Sequence, residues 1–313
     1  MTNPSIQPLL FEPLFRERIW GGRRLESVFG KKLPANRCVG ESWEIVDRAD
    51  AQSVVRQGPY AGRTLHDLWR DHRPEIFGEE VAAVPRFPIF AKLLDAREKL
   101  SLQVHPPAEV AAALGGEPKT EMWYVAAADP GAEIFLGVRR GVSREDFARA
   151  VSDGQAAQFV HRLGVKSGEA FFVPSGCLHA IGAGLLIVEI QQNSDTTYRI
   201  FDWNRRSDAG SLRPLQIEEA MRSINFADFE PKKLEPDGEF LVRSPDFAVE
   251  KWTLTNARRA LDRPACALFF CLSGAVKMAG VAIKPGEFFL VPASADEIPL
   301  EPLAPATRLL RIT

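Results

Sequence analysis

The chain has 313 residues, 45% of them apolar and 26% charged, with a formal net charge of −2. That is enough chain for one large core or two ordinary ones, with the composition of a globular protein rather than a disordered one. The near-neutral balance excludes a global pull toward nucleic acid, and no apolar run reaches the roughly 18 residues of a membrane-crossing helix.

The N-terminal "MTNPSIQPLLFEPLF" lacks the basic start, apolar centre and small-residue cleavage site of a secretory signal. Cys38, Cys177, Cys266 and Cys271 are scattered without a C-x-x-C pair. This argues against a disulfide framework or a four-cysteine zinc site and makes a reducing, cytoplasmic setting the expectation. With 23 Gly and 23 Pro the chain is densely punctuated, which predicts a mainly β fold with a few helices.

In chain order, a helix is expected over 64–78, ended by Pro74. Strands are expected over 86–94, 101–105, 121–128 and 133–138. A helix over 143–154 opens on the Ser143/Asp146 capping pair and closes on Gly154. Strands follow over 169–174 and 185–192, then a helix over 213–225 with Pro214 just inside its start. The charged "FADFEPKKLEPDGEF" (226–240) reads as a linker, placing a division between residues 1–235 and 236–313.

Two segments repeat: "VKSGEAFFVPSG" (165–176) and "IKPGEFFLVPAS" (283–294). Each is a Gly turn, a buried strand and a Pro stop, which points to two copies of one β-fold. Only the first copy continues to a histidine, His179.

The chemistry gathers in that first copy. In "LSLQVHPP" (100–107), Ser101, Gln103 and His105 share one face of a strand and Leu100, Leu102 and Val104 the other. Lys119 and Glu121 share a face at the start of "EMWYV". Two His, one Glu and one Gln make an N/O ligand set suited to a divalent cation, if a barrel lumen brings them together. His66 and His72 in a helix pattern and His161 in a polar connection read as structural. Cys177 reads as a small buried residue, and Trp20, Trp43 and Trp123 as core rather than sugar-stacking platforms.

"GEAFFVPSGCLH" resembles the second motif of the cupin superfamily as far as His179, with Ala183 where the motif ends in Asn. The first cupin motif is altered: Gln103-Val-His105, with Glu121 sixteen residues after His105. Gln-x-His-Pro followed by "KTEMWY" resembles the type I mannose-6-phosphate isomerase (phosphomannose isomerase) family in its short bacterial form. The resemblance extends through "RIWGGRRL" (18–25), "GESWEIVD" (40–47), "FPIFAKLLDAREKLSLQVHP" (87–106) and "SDTTYRIFDWNR" (194–205). It implies two cupin units, jelly-roll-like β-barrels, of which the first binds metal and catalyses while the C-terminal one lacks ligands. It implies one zinc on Gln103, His105, Glu121 and His179, with Arg199 as the active-site arginine and Lys92, Ser101 and Lys119 lining a sugar-phosphate pocket.

The implied reaction interconverts mannose 6-phosphate and fructose 6-phosphate through a cis-enediol. It needs a Lewis acid, a group that carries the C–H proton and a grip on phosphate. A metal-bound water, Lys119 or the substrate-side carboxylate Glu189 are the alternatives for the proton. The reading of Arg199 from the residues alone is a salt bridge, with Asp202 as partner. Two alternatives to the isomerase stay open: the two-His-one-carboxylate set of a non-haem iron oxygenase, against which Gln103 argues as a fourth ligand, and a non-catalytic metal-dependent sugar-binding cupin. The expected partner is a small sugar phosphate, not nucleic acid or membrane, with the chain a monomer or dimer.

Overall fold

The computed structural model describes residues 7–79, 84–206, 210–295 and 297–313. The first six residues of the N-terminal segment and Asp296 in the tail of the second repeat lie outside them. The structure is mostly β, and it divides into two compact units. One comprises residues 17–22 and 94–234; the other gathers residues up to 16, 23–93 and 235–313. The chain thus returns to the latter unit near the expected division at residue 235, and residues 23–93 are grouped with that unit. No helix among the described residues is long and apolar enough to cross a membrane.

Among the described residues, the stretch from 97 to 234 holds eight strands: β1 (Leu102–Val104), β2 (Glu121–Ala128), β3 (Glu133–Val138), β4 (Val160–Gly164), β5 (Ala170–Val173), β6 (His179–Ile181), β7 (Leu185–Gln192) and β8 (Tyr198–Phe201). One sheet runs β4-β3-β6-β1-β8. In the second, β2 pairs antiparallel with β5 on one side and β7 on the other. Between the sheets Trp123, Val125, Ile134, Leu136, Phe171, Val173, Ile181 and Ile187 form a dry core. The expected strands are all present, trimmed or shifted by a few residues at their ends, as turn residues dictate. His161 lies within β4 rather than in a connection.

The inner face of β1 is the polar one. Leu102 and Val104 point away from the lumen into a separate cluster with Phe135, Phe147, Leu178 and Ile224, whereas Leu100, which precedes the strand, packs in the core between the sheets and not with them. Two helices supply part of that cluster: α1 (Arg144–Ser152) through Phe147 and Val151, and α2 (Ile217–Ser223) through Ala220. Helix α1 begins as its sequence predicts, with the Ser143 hydroxyl accepting from the Asp146 N–H at 3.0 Å. Helix α2 starts three residues later than Pro214 suggests, because Gln216 is engaged with the Arg199 backbone, its N–H donating to the Arg199 carbonyl at 2.8 Å. In the other unit, the 64–78 segment is helical over Leu65–Asp71 and then widens into a π turn over Arg73–Phe77 that takes Pro74 into its first turn.

In that other unit, Ala267–Ser273 pairs with Phe288–Val291 and Thr307–Ile312. Its register repeats that of the first: Val291 pairs with Ala267 where Val173 pairs with Glu121, and Phe269 pairs with Arg311 where Trp123 pairs with Glu189. The position of the carboxylate Glu121 is therefore alanine in the second copy. Arg311 stands where Glu189 stands in the first, and is neutralised by Glu250 at 3.0 Å and Asp262 at 2.8 Å.

Candidate metal centre and active site

Strand register assembles the site. Gln103 on β1 pairs directly with His179 on β6 and, on its other side, with Arg199 on β8. On the facing sheet, Glu121 is paired with Gln191, and Glu189 with Trp123. Since directly paired residues share a face, His179, Gln103 and Arg199 lie on one face of the first sheet, and Glu121, Gln191, Trp123 and Glu189 on one face of the second.

His105, Glu121 and His179 converge there, all 1% exposed. Their ligand atoms lie within 4.8 Å of one another. His105 Nε2 is 3.3 Å from Glu121 Oε2, and His179 Nε2 is 3.6 Å from Glu121 Oε1. Both imidazoles are anchored from behind: His105 Nδ1 to the Thr196 carbonyl at 2.8 Å and His179 Nδ1 to the Cys177 carbonyl at 2.9 Å. A carbonyl can only accept, so each Nδ1 carries the hydrogen and each Nε2 turns a lone pair toward the carboxylate. This is how metal-ligating histidines are oriented. Burial, then the nearby Lys119 charge, pushes the His105 imidazole down to about 3, and burial also lowers His179. Neutral imidazole is the form that binds metal.

Burial pushes the Glu121 carboxyl up, but Lys119 and the two histidines outweigh it and hold the group well below the usual range. Glu121 Oε2 is completely buried and lacks an aligned hydrogen-bond donor, although Lys119 Nζ lies 2.7 Å away. Two imidazole lone pairs turned toward one buried carboxylate make a donor set that fits a cation, even with the Lys119 ammonium beside Oε2. Gln103 Nε2 stands 3.3 Å from His179 Nε2, and its Oε1 accepts from the Ser101 hydroxyl at 3.2 Å. A half-turn of that amide exchanges its oxygen and nitrogen, so the donor set fits a fourth oxygen ligand too.

The remaining expected residues distribute as follows. Lys119 is buried between Glu121, His105 Nε2 at 3.2 Å and Glu189 Oε1 at 3.8 Å. Burial lowers its pKa, and the two glutamates more than reverse this, so the ammonium is held charged. Glu189 is buried and accepts from Trp123 Nε1 at 3.2 Å. Arg199, half-buried, donates from Nε to Ser101 Oγ at 3.0 Å and from Nη1 to the Pro214 carbonyl at 3.3 Å. Asp202 pairs with Arg205 and, at 3.6 Å, with Arg213, so it is not the hydrogen-bonded partner of Arg199 that the residues alone suggest. Lys92 belongs to the other unit, with its ammonium 4.3 Å from the centre of the Phe90 ring and 5.3 Å from that of Trp43.

Trp20, Trp43 and Trp123 are buried, as core residues should be. The edge of Trp123 nonetheless meets His179, with ring centres 5.4 Å apart. Cys177 is buried and its thiol is pushed well up by burial, while its carbonyl orients His179. His66 bonds Asp47 at 3.0 Å and takes no part in the site's hydrogen bonding. Thr196 was not legible as a functional residue, because its contribution is a backbone carbonyl.

With this geometry in hand, comparison with known proteins is decisive. The family model of the type I phosphomannose isomerase catalytic domain matches residues 9–134, and that of the mannose-6-phosphate isomerase cupin domain matches 237–304. The probable mannose-6-phosphate isomerase GmuF of Bacillus subtilis is 38% identical over 307 residues, covering 94% of this chain and 96% of the relative. The mannose-6-phosphate isomerase of Streptococcus mutans is 37% identical, covering 91% and 92%. The crystal structure of the Bacillus subtilis mannose 6-phosphate isomerase superposes with a TM-score of 0.86 at 31% identity, covering 98% of this chain and 99% of that one. The chain belongs to the type I phosphomannose isomerase family of enzymes.

Proposed function

We propose that the chain interconverts mannose 6-phosphate and fructose 6-phosphate through a cis-enediol, using one zinc ion held by Gln103, His105, Glu121 and His179. The observation that carries this reading is the convergence of two tautomer-fixed imidazoles on one buried carboxylate. The relatives, named mannose-6-phosphate isomerases, support mannose 6-phosphate as the substrate, and the family resemblance implies fructose 6-phosphate as its ketose partner. Zinc bound there acts as a Lewis acid on the sugar carbonyl without redox chemistry.

The chain's own groups do the rest. Lys119 and Glu189, 3.8 Å apart in a water-poor pocket, form the pair that handles the proton moved between C1 and C2. Trp123 holds the Glu189 carboxylate in place from behind. Arg199 brings a fixed, planar positive charge to the mouth of the lumen, where it grips sugar or phosphate oxygens. Ser101 fixes its orientation and lines the pocket beside it. Lys92 enters the proposal as a phosphate-side cation on the family resemblance alone. A cytoplasmic setting belongs to the same proposal, supported by four scattered cysteines without a C-x-x-C pair.

The test is a coupled assay that follows fructose 6-phosphate formed from mannose 6-phosphate. A chelator-treated sample, with and without added zinc, runs beside it. Turnover that vanishes with chelation and returns with zinc is the expected result. A folded, zinc-loaded sample without turnover would overturn the proposal and leave a metal-dependent sugar-binding cupin.

A further inference from the structure

The turn that follows β8 is strained. Trp203 and Asn204 both adopt left-handed backbone conformations, each with φ of 55°. One bulky residue in that region is an outlier, and such strain persists only where the surroundings over-determine it. Here the surroundings are specific. The Trp203 ring packs against Phe135 and Phe201, with centres 5.1 Å and 5.4 Å away, and Lys99 Nζ lies 4.3 Å above it. Its indole Nε1–H donates to the Leu100 carbonyl at 2.6 Å. Two residues further on, Arg205 Nη1 donates to the Lys99 carbonyl at 2.5 Å. Consecutive carbonyls at the entrance of β1 are thus held by side chains of one strained turn, while the Leu100 N–H is taken by the Ile181 carbonyl at 2.9 Å.

The next residue is Ser101, whose hydroxyl is the junction between the Arg199 guanidinium and the Gln103 amide. We propose that Trp203 is a positioning residue for the isomerase reaction: its indole N–H fixes the peptide before Ser101, and through the Ser101 hydroxyl it sets the orientation of Arg199. The inference rests on the isomerase reading above. It accounts for an otherwise unfavourable backbone conformation carried by a residue with a large, directional side chain. Packing alone would need the ring but not the N–H.

Trp203→Phe keeps the ring and deletes the donor. One neutral hydrogen bond corresponds to roughly a 3- to 10-fold effect, and an alignment effect falls on kcat more than on KM. The expected result is a kcat lowered by that factor, with KM, zinc content and melting temperature near those of the wild type. If the effect passes through Ser101, the same substitution made in a Ser101→Ala background lowers kcat no further. Full additivity of the two substitutions, an unchanged kcat in Trp203→Phe, or loss of zinc or thermal stability in that variant would each overturn the proposal. Wild-type protein assayed in parallel separates the two readings, because absence of wild-type turnover counts against the isomerase assignment and not against Trp203.

Discussion

At the scale of single residues, the site is a set of charges and lone pairs that burial makes expensive. His105 and Arg199 should therefore fail in different ways. His105→Ala is expected to lose bound metal and turnover together while the fold survives. Arg199→Ala should keep the metal and lose about 10²-fold or more in kcat/KM, by analogy with removal of a single positioned electrostatic group. Metal analysis and kinetics on the same preparations decide this, and stoichiometric metal in His105→Ala would break the ligand assignment. The metal-free protein should also respond to acid. Burial and the Lys119 charge push His105 down to about 3, against 6.5 for the free group. Between those values the unfolded chain holds the proton and the folded chain does not, so stability falls as pH drops from 6.5 toward 3. Chelated protein should melt lower at pH 5 than at pH 7.5, with a smaller difference in His105→Gln; equal differences would contradict this account. Gln103 and His105 stood out because polar residues on alternate positions of an apolar strand need a reason, and Glu121 and His179 through the resemblance to the cupin motifs; the structure brings His105, Glu121 and His179 together. The Thr196 and Cys177 carbonyls that orient the imidazoles were not, since any residue type can supply a carbonyl.

At the scale of elements, β1 inverts the usual pattern, sending Leu102 and Val104 under the helices and its polar face into the lumen. The alternation was visible in the sequence, but which face turned inward was not. That depends on β6 and β8 pairing either side of Gln103, a register set by residues far apart in the chain. The start of α2 was misplaced for a similar reason, because Gln216 is engaged by Arg199 and not by the helix alone. Trp203 gave no turn signal, since tryptophan is not a residue that chooses left-handed backbone. The placement of β6 makes its own prediction. A Cβ on Gly182, just after β6, would come within 2.0 Å of the Glu133 carbonyl oxygen beside β3. Gly182→Ala should push these strands apart, destabilise the unit by about 1–3 kcal/mol, as overpacking does, and weaken zinc binding through His179. Thermal melts and a zinc titration test this, and unchanged values in both would mean that β6 does not set the ligand position.

At the scale of the whole molecule, the twelve-residue repeat did announce two copies of one β-fold, and the matching register of Val173 with Glu121 and Val291 with Ala267 bears this out. What the sequence left hidden was membership: residues 23–93 pack with 235–313, through contacts that no local pattern encodes. It also hid what replaced the chemistry in the second copy. Arg311, 5% exposed and paired with Glu250, stands at the position of Glu189. Arg311→Ala leaves Glu250 without its buried partner and should cost about 3–5 kcal/mol of stability while leaving zinc content unchanged. A variant that loses zinc along with stability would contradict a purely structural second copy. The most direct test of the central claim is a titration of zinc into chelated protein, with bound zinc and mannose 6-phosphate turnover measured on the same samples. Turnover should rise in proportion to bound zinc and level off at one ion per chain. Turnover that is independent of bound zinc, or a plateau at a different stoichiometry, would contradict a single catalytic metal centre at His105, Glu121 and His179.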